Sequence, residues 1–172
     1  MLPKGPLHFS TNAILNGVMR KRSVVMPLET DAEIRQLLTH AKTVAVVGAS
    51  INSSRPSHRV MQFLLNEGYQ VFPVNPALAG SQLLGQRVLP DLASIPQSVD
   101  IVDVFRQARF LSGVVEEAIA IAANAVWGQL GVVDLAAAKR AEEAGLQVVM
   151  NRCPAIEIPR LGISRSSPGS KG

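Results

Sequence analysis

The sequence of 172 residues predicts a single doubly wound α/β domain, with a five-stranded parallel sheet of strand order 3-2-1-4-5 and helices on both faces. Five short runs of Val, Ile and Leu lack polar alternation, which is typical of strands covered on both faces. Segments with helical periodicity separate these runs, and this alternation favours parallel pairing through right-handed crossovers. A hydrophobic fraction of 47% is enough for one core in a chain of this length.

The first element expected from the sequence is a helix that starts at Thr30. Glu33 follows three residues later, at the spacing of a capping box, and Ile34, Leu37 and Leu38 form one apolar face. The strands come after this helix. They are predicted at residues 43–47, 70–74, 99–104, 125–130 and 146–150.

Three further helices are expected between the strands. They are predicted at residues 57–66, 112–123 and 134–144, and Gly68 and Gly145 supply stop signals after the first and the last. Proline and glycine interrupt the segment before the third strand repeatedly. We therefore expect an irregular connection there, with one helical turn at residues 91–94.

Both ends of the chain differ in composition from the middle. Residues 1–25 contain four basic and no acidic residues, so residues 1–27 are expected to form a disordered basic extension. An organelle transit peptide, and a translation start at Met26, are the alternatives for this segment. The domain is predicted at residues 28–161, and residues 162–172, rich in Gly, Ser and Pro, are predicted to be a disordered tail.

The net charge of the middle of the chain and the overall composition argue against several classes of function. Residues 26–160 have a net charge of −2 and the chain has one Trp and one Tyr, which offers neither a phosphate-tracking surface nor a stacking platform for nucleic acid. No run approaches the roughly 18 apolar residues of a membrane span. Cys153 is the only cysteine, which fits a reducing compartment. We therefore expect a cytoplasmic protein that binds neither nucleic acid nor membranes.

The first strand leads into a loop that is typical of nucleotide-binding sites. Residues 43–57 read TVAVVGASINSSRPS, with Gly48, Ser50 and Ser53 at the three glycine positions of G-x-G-x-x-G and Arg55 directly after them. Such a loop presents backbone N–H groups and a helix N-terminus to an anion, and the serines and the arginine are added donors. A tight turn without a ligand is the alternative, because a single glycine is weak evidence.

The end of the second strand narrows the choice of nucleotide. An NAD site places Asp or Glu there to bind the ribose, whereas this chain has Asn75 and Pro76. A ligand with a phosphorylated ribose needs no such carboxylate, so both NADP and coenzyme A fit. The sequence G-x-x-x-x-G-K-S/T is absent, which argues against a P-loop nucleotidase.

Several segments together resemble a known family. VAVVGAS with SSRPS, VFPVNP, VDIVDVFR, AVWGQLG and VVMNRCPAIEIPRL occur in this order between residues 43 and 161. The chain resembles the small stand-alone CoA-binding proteins, whose Rossmann-like fold is that of the amino-terminal domain of the succinyl-CoA ligase α subunit. The resemblance implies a cofactor, coenzyme A or an acyl-CoA.

The resemblance also implies which residues contact the cofactor. The first loop, residues 48–57, would hold the CoA phosphates. The end of the second strand would lie near the adenosine, and the ends of the third and fourth strands would line the path of the pantetheine arm. The residues implied in this way are Gly48, Ala49, Ser50, Ser53, Arg55, Pro56, Ser57, Val74, Asn75, Pro76, Phe105, Arg106, Gln129 and Leu130.

Two departures from the ligase pattern restrict which properties of the ligase can be expected of this chain. The ligase has a CoA-binding lysine after the second strand, but residues 77–86 contain none, and Arg87 is the nearest substitute. The phosphorylated histidine of the ligase belongs to a second domain, which nothing after Arg160 supplies. The resemblance therefore implies binding without ligation, and it leaves open two kinds of protein partner, a second copy of this chain or a CoA-dependent enzyme.

A search for catalytic groups favours the same interpretation. The histidines have no metal-ligand spacing, and His58 is expected to have a packing or surface role more than a phosphate contact. Asp103 is expected to pair with Arg106 in preference to acting as a general base. Cys153 follows Arg152, whose charge would favour thiolate, but a buried and unreactive cysteine is the more common outcome.

We therefore predict a CoA-binding module with no catalytic residue and no metal site. The alternatives are an NADP-type or other Rossmann oxidoreductase, and a carrier of acyl groups or CoA through the thiol of Cys153.

Overall fold

Five parallel strands form the central sheet, and the computed structural model describes them within residues 26–165. The strands are β1 Thr43–Val47, β2 Gln70–Val74, β5 Ile101–Val104, β6 Ala125–Gly128 and β7 Gln147–Val149. A small antiparallel hairpin, β3 Gln82–Leu83 with β4 Gln86–Arg87, lies in the connection after β2. The helices are α1 Asp31–His40, α2 Pro56–Asn66, α3 Leu111–Ala120, α4 Leu135–Glu143 and α5 Pro154–Arg160. The predicted fold class is confirmed.

The strand order, however, differs from the prediction. The sheet runs β2-β1-β5-β6-β7, which is 2-1-3-4-5 in the order of the parallel strands and not 3-2-1-4-5. The third parallel strand, β5, lies beside β1, with Val44 opposite Ile101 and Val47 opposite Val104. The sheet therefore places the ends of β1, β5 and β6 next to each other.

A proline explains why β2 is the edge strand of the sheet in the described part of the chain. Pro73 accepts a hydrogen bond at its carbonyl from the N–H of Leu89, at 2.9 Å. Because the N–H and C=O of one strand residue point to the same side, the nitrogen of Pro73 also faces outward and has no hydrogen to donate. Between residues 26 and 165, the only bridge on this edge is an isolated one between Val74 and Leu89. Pro73 was thus a sequence signal for an edge strand, and the predicted order was wrong to place that strand in the interior.

The two faces of the sheet carry separate apolar cores. Helices α1, α2 and α5 cover one face, where the side chain of Trp127 is fully buried. Helices α3 and α4 cover the other, and small residues of α4 such as Ala137 and Ala141 pack there. Strand residues contribute to the two cores alternately, which explains why the strands read as continuous apolar runs.

Most predicted boundaries hold to within a few residues. The capping box is confirmed: Thr30 Oγ1 accepts from the N–H of Glu33, and the Glu33 carboxylate accepts from the N–H of Thr30. The turn at residues 91–94 is confirmed as a short 3-10 helix, Leu92–Ser94. The last three strands are shorter than predicted, and the hairpin and α5 were not predicted.

The carboxyl-terminal part of the described chain packs on the domain. Ile163, which the sequence assigned to the tail, is 8% exposed. Arg165 donates to the carbonyl oxygens of Leu38 and Ala41 at the end of α1, and its guanidinium lies 3.7 Å from the centre of the Tyr69 ring. The predictions for residues 1–25 and 166–172 lie outside the described residues. Within the described part, no helix is long and apolar enough to cross a membrane.

Candidate ligand-binding cleft

A cleft of about 560 Å³ lies at the carboxyl ends of β1, β5 and β6. This is the edge where ligands bind in open parallel sheets. The cleft is lined by Gly48, Ala49, Ser50, Arg55, Pro56, Ser57, Asn75, Phe105, Arg106, Gln107, Gln129, Leu130, Gly131 and Val132. Most of the residues that the sequence singled out are therefore brought together.

The loop after β1 requires glycine at its first position. Gly48 has φ +87°, in the left-handed region, and a Cβ there would lie 3.1 Å from the carbonyl oxygen of Phe105 and 3.3 Å from the side chain of Arg106. The missing side chain thus lets the loop after β5 pack directly against the loop after β1. Two of the predicted ligand-binding segments form one wall of the cleft for this reason.

The polar side chains of the same loop fix its shape. Ser50 Oγ accepts from the N–H of Asn52, and Asn52 Oδ1 accepts from the N–H and the hydroxyl of Ser54. His58 donates from Nδ1 to the Ser50 carbonyl oxygen at 3.0 Å. His58 therefore hydrogen-bonds within this loop, and its expected packing or surface role stays a prediction. Ser53 is exposed and does not line the cleft.

Positive charge and a helix N-terminus face the cleft. Helix α2 starts at Pro56, which has no N–H, and no side chain caps it. The N–H of Ser57 remains available to an anion, whereas that of His58 donates to the carbonyl oxygen of Arg55. Arg55 precedes the helix, and the guanidinium of Arg106 lies 4.6 Å from the centre of the Phe110 ring. Neither arginine forms an ion pair with a residue between 26 and 165. No lining residue in this part of the chain is acidic, so the cleft favours an anionic ligand.

The end of β2 has a structural role beside the cleft. The carbonyl oxygen of buried Val74 accepts from the N–H of Gly48 at 3.0 Å. Asn75 donates through Nδ2 to the carbonyl oxygen of Ala49, at 2.8 Å, and accepts through Oδ1 from the N–H of Ala77. An aspartate could not make the first of these bonds, because it has no donor. Pro76 is exposed and does not line the cleft.

The buried carboxyl on β5 has a different partner from the one expected. Asp103 is fully buried, and Nε2 of Gln129 donates to its Oδ1 and Oδ2 at 2.8 and 3.0 Å. It forms no ion pair with Arg106, so that expectation was wrong. Burial raises the pKa of Asp103 to about 8, and the hydrogen bond from Gln129 opposes this only in part. The carboxyl is therefore protonated at neutral pH.

The loop after β6 also lines the cleft with Gly131 and Val132, which were not predicted from the sequence. A Cβ on Gly128 would lie 2.6 Å from the carbonyl oxygen of Val132, so the turn closes only over glycine. Asn151, with φ 55°, accepts at Oδ1 from the N–H of Gly131 and ties this turn to the end of β7. The glycines at 128 and 131, which flank QL in AVWGQLG, were the available signal for such a turn.

Two other residues that the sequence singled out, one as a CoA-binding cation and one as a nucleophile, lie outside the cleft. Arg87 lies on β4, is exposed and does not line it. Cys153 is 7% exposed, and burial raises the pKa of its thiol. Arg152 does not activate it, because its guanidinium binds Glu157 and the carbonyl oxygen of Glu29. The buried, unreactive cysteine is the interpretation that the geometry favours.

A second cleft adjoins the first. It has a volume of about 540 Å³, shares Leu130 with the first cleft, and extends to Cys153 and Ile156. In the described residues, no three His, Cys, Asp or Glu side chains are grouped as a metal site would require.

Known proteins resemble this chain in family, in sequence and in structure. A family model described as a CoA binding domain matches residues 42–159. The uncharacterized protein YneT of Bacillus subtilis (strain 168) is 38% identical over 122 residues, which are 71% of this chain and 89% of that protein. The structure of a hypothetical protein from Pyrococcus horikoshii OT3 is 40% identical with a TM-score of 0.75, covering 79% of this chain and 96% of that one. The ADP-forming acetate–CoA ligase I of Archaeoglobus fulgidus is 32% identical over 80 residues, which are 46% of this chain and 11% of the ligase.

Proposed function

This chain belongs to the CoA binding domain family, and from that premise we propose that it binds coenzyme A or an acyl-CoA in the cleft at the ends of β1, β5 and β6. We propose further that it does so without catalytic groups of its own. The observation that carries the proposal is the anion-binding character of the cleft. The uncapped N-terminus of α2, Arg55 and Arg106 all open onto it, and none of its lining residues between 26 and 165 is acidic.

The cleft offers a position for each part of the ligand. The N–H groups of the loop after β1 and the N–H of Ser57 would bind the pyrophosphate, with Arg55 as a charge-assisted donor. The end of β2 would lie near the adenosine. The pantetheine arm would then pass Phe105 and Arg106 toward Gln129 and Leu130. Leu130 also borders the second cleft, which leaves space beyond the thiol for an acyl group.

An NADP-binding oxidoreductase is the second candidate, and one observation favours it. Asn75, at the end of β2, is a neutral residue that would not repel a 2′-phosphate. An oxidoreductase would also need a group that donates or accepts a proton at the substrate. The lining residues of the cleft include no histidine, tyrosine, lysine, cysteine or carboxylate in the part of the chain that is described, which counts against this candidate.

Isothermal titration calorimetry with CoA, acetyl-CoA, NAD and NADP distinguishes the two candidates. We expect binding of CoA or acetyl-CoA and much weaker binding of NADP. Arg55→Ala should weaken CoA binding by about 10- to 150-fold, because a hydrogen bond to a charged group contributes roughly 1.5 to 3 kcal/mol. Arg35→Ala is the matched control, since Arg35 is exposed on α1 and does not line the cleft. Binding of NADP without any response to CoA would overturn the proposal.

A further inference from the structure

The buried carboxyl group of Asp103 lowers the stability of the protein relative to an apolar residue at this position. It lies on the central strand β5, opposite Val46 on β1 and Trp127 on β6, and its side chain is 0% exposed. An apolar residue at this position would avoid the cost of removing a carboxyl from water. Departures of this kind from ordinary core composition occur preferentially at functional sites.

Asp103 fixes the orientation of one cleft residue. A single nitrogen, Nε2 of Gln129, lies 2.8 and 3.0 Å from its two oxygens. In this arrangement the nitrogen of the amide faces Asp103, and the amide oxygen of Gln129 faces away from it.

The amide oxygen of Gln129 has no hydrogen-bond partner in the part of the chain that the structure describes. The residue is 6% exposed, yet Oε1 accepts no hydrogen bond from residues 26–165. Oε1 is also not among the fully enclosed polar atoms that lack a partner, so it retains contact with solvent. Gln129 lines the cleft, and its side chain also lies beside the thiol of Cys153. Gln129 thus carries a nearly buried, oriented hydrogen-bond acceptor.

We propose that Asp103 is a positioning residue that holds Gln129 so that Oε1 accepts a hydrogen bond from an amide N–H of the pantetheine arm. This inference rests on the proposed function, because it names the contact made by one part of the same ligand. The arm carries two secondary amides, whereas the adenosine and its phosphates do not reach beyond the loop after β1 in the arrangement proposed above. Because Gln129 is 6% exposed, little water surrounds its amide, which strengthens a hydrogen bond formed there.

Two variants and two ligands test the inference on the full chain. Gln129→Met removes the acceptor at nearly constant volume. Asp103→Asn lets the new amide donate to Gln129, so that Gln129 turns and presents a donor to the cleft. Calorimetry would measure the affinity of each variant for CoA and for adenosine 3′,5′-bisphosphate, which lacks the arm.

We expect each variant to bind CoA about tenfold more weakly, the effect of one net hydrogen bond, and to bind the bisphosphate within twofold of the parent protein. Equal losses for both ligands would show a general disturbance of the cleft and would overturn the inference. Unchanged CoA affinity in Gln129→Met would also overturn it, and this variant decides the question if Asp103→Asn does not fold. Failure of the parent protein to bind CoA is a separate result, which refutes the proposed function and this inference with it.

Discussion

The pH dependence of stability should reveal the protonation state of Asp103 directly. Its pKa is about 8 in the folded protein, against 3.8 for a solvated aspartate. Between these values the unfolded chain has lost the proton that the native protein keeps. The unfolded state therefore binds fewer protons, and stability falls as the pH rises. The contribution is fully present below about pH 4 and is lost as the pH approaches and passes 8.

The expected magnitude follows from the difference in bound protons. One group that is protonated only in the native state changes the free energy of unfolding by about 1.4 kcal/mol per pH unit. Between pH 5.5 and 7.5 the parent protein should therefore lose about 2 to 3 kcal/mol through Asp103. Asp103→Asn carries no titrating group at this position and should lack this loss.

Urea unfolding of both proteins at pH 5.5, 6.5 and 7.5 measures the effect. The free energy of unfolding of the parent, relative to that of the variant, should decrease steadily over this range. All other titrating groups are common to the two proteins, so their contributions cancel in the comparison. Parallel pH profiles would show that Asp103 is already ionised in the native state, and the reasoning from its burial would then be wrong.

Three further outcomes are expected. Gly128→Ala should abolish CoA binding and destabilise the protein, because the new Cβ would lie 2.6 Å from the carbonyl oxygen of Val132. In the control variant Gly113→Ala the new Cβ meets no atom within 4 Å, so binding should be preserved and the free energy of unfolding, measured in urea titrations, should rise by about 0.5 to 1 kcal/mol. CoA affinity should decrease with added salt, and calorimetry between roughly 50 and 300 mM salt should show a smaller decrease for Arg55→Ala, because salt screens a contact between charges. An unchanged slope would show that Arg55 does not contact a phosphate. Cys153 should react slowly with iodoacetamide in the folded protein and rapidly in urea, as followed by mass spectrometry, and rapid reaction in the native state would restore the thiol-carrier alternative.

The elements of this fold were predictable because their signals are local. Thr30 and Glu33 lie within one turn of helix, and Gly68 and Gly145 act on the residues directly before them. The family resemblance was predictable for a similar reason, since short motifs in a fixed order identify it without any knowledge of contacts. The match of the CoA binding domain model to residues 42–159 confirmed that resemblance.

The strand order was harder to predict from the sequence, because strand pairing joins residues that are distant along the chain. Apolar runs such as residues 43–47 and 101–104 show that strands are buried, but they are nearly interchangeable as partners. The one chemical distinction was Pro73, whose missing N–H marks an edge strand. That signal was present in VFPVNP, and reading it would have excluded an order with this strand in the interior.

The sequence by itself determined the fold class, the family and the position of the loop from Gly48 to Ser57, because these depend on local backbone preferences and short motifs. Only the tertiary structure decided what the polar residues around that loop do. Asn75 binds backbone across two loops, and Asp103 is paired with Gln129, 26 residues away, and not with nearby Arg106. Hydrogen bonds of buried groups depend on where distant strands end relative to one another, and that alignment is set by packing of the whole sheet.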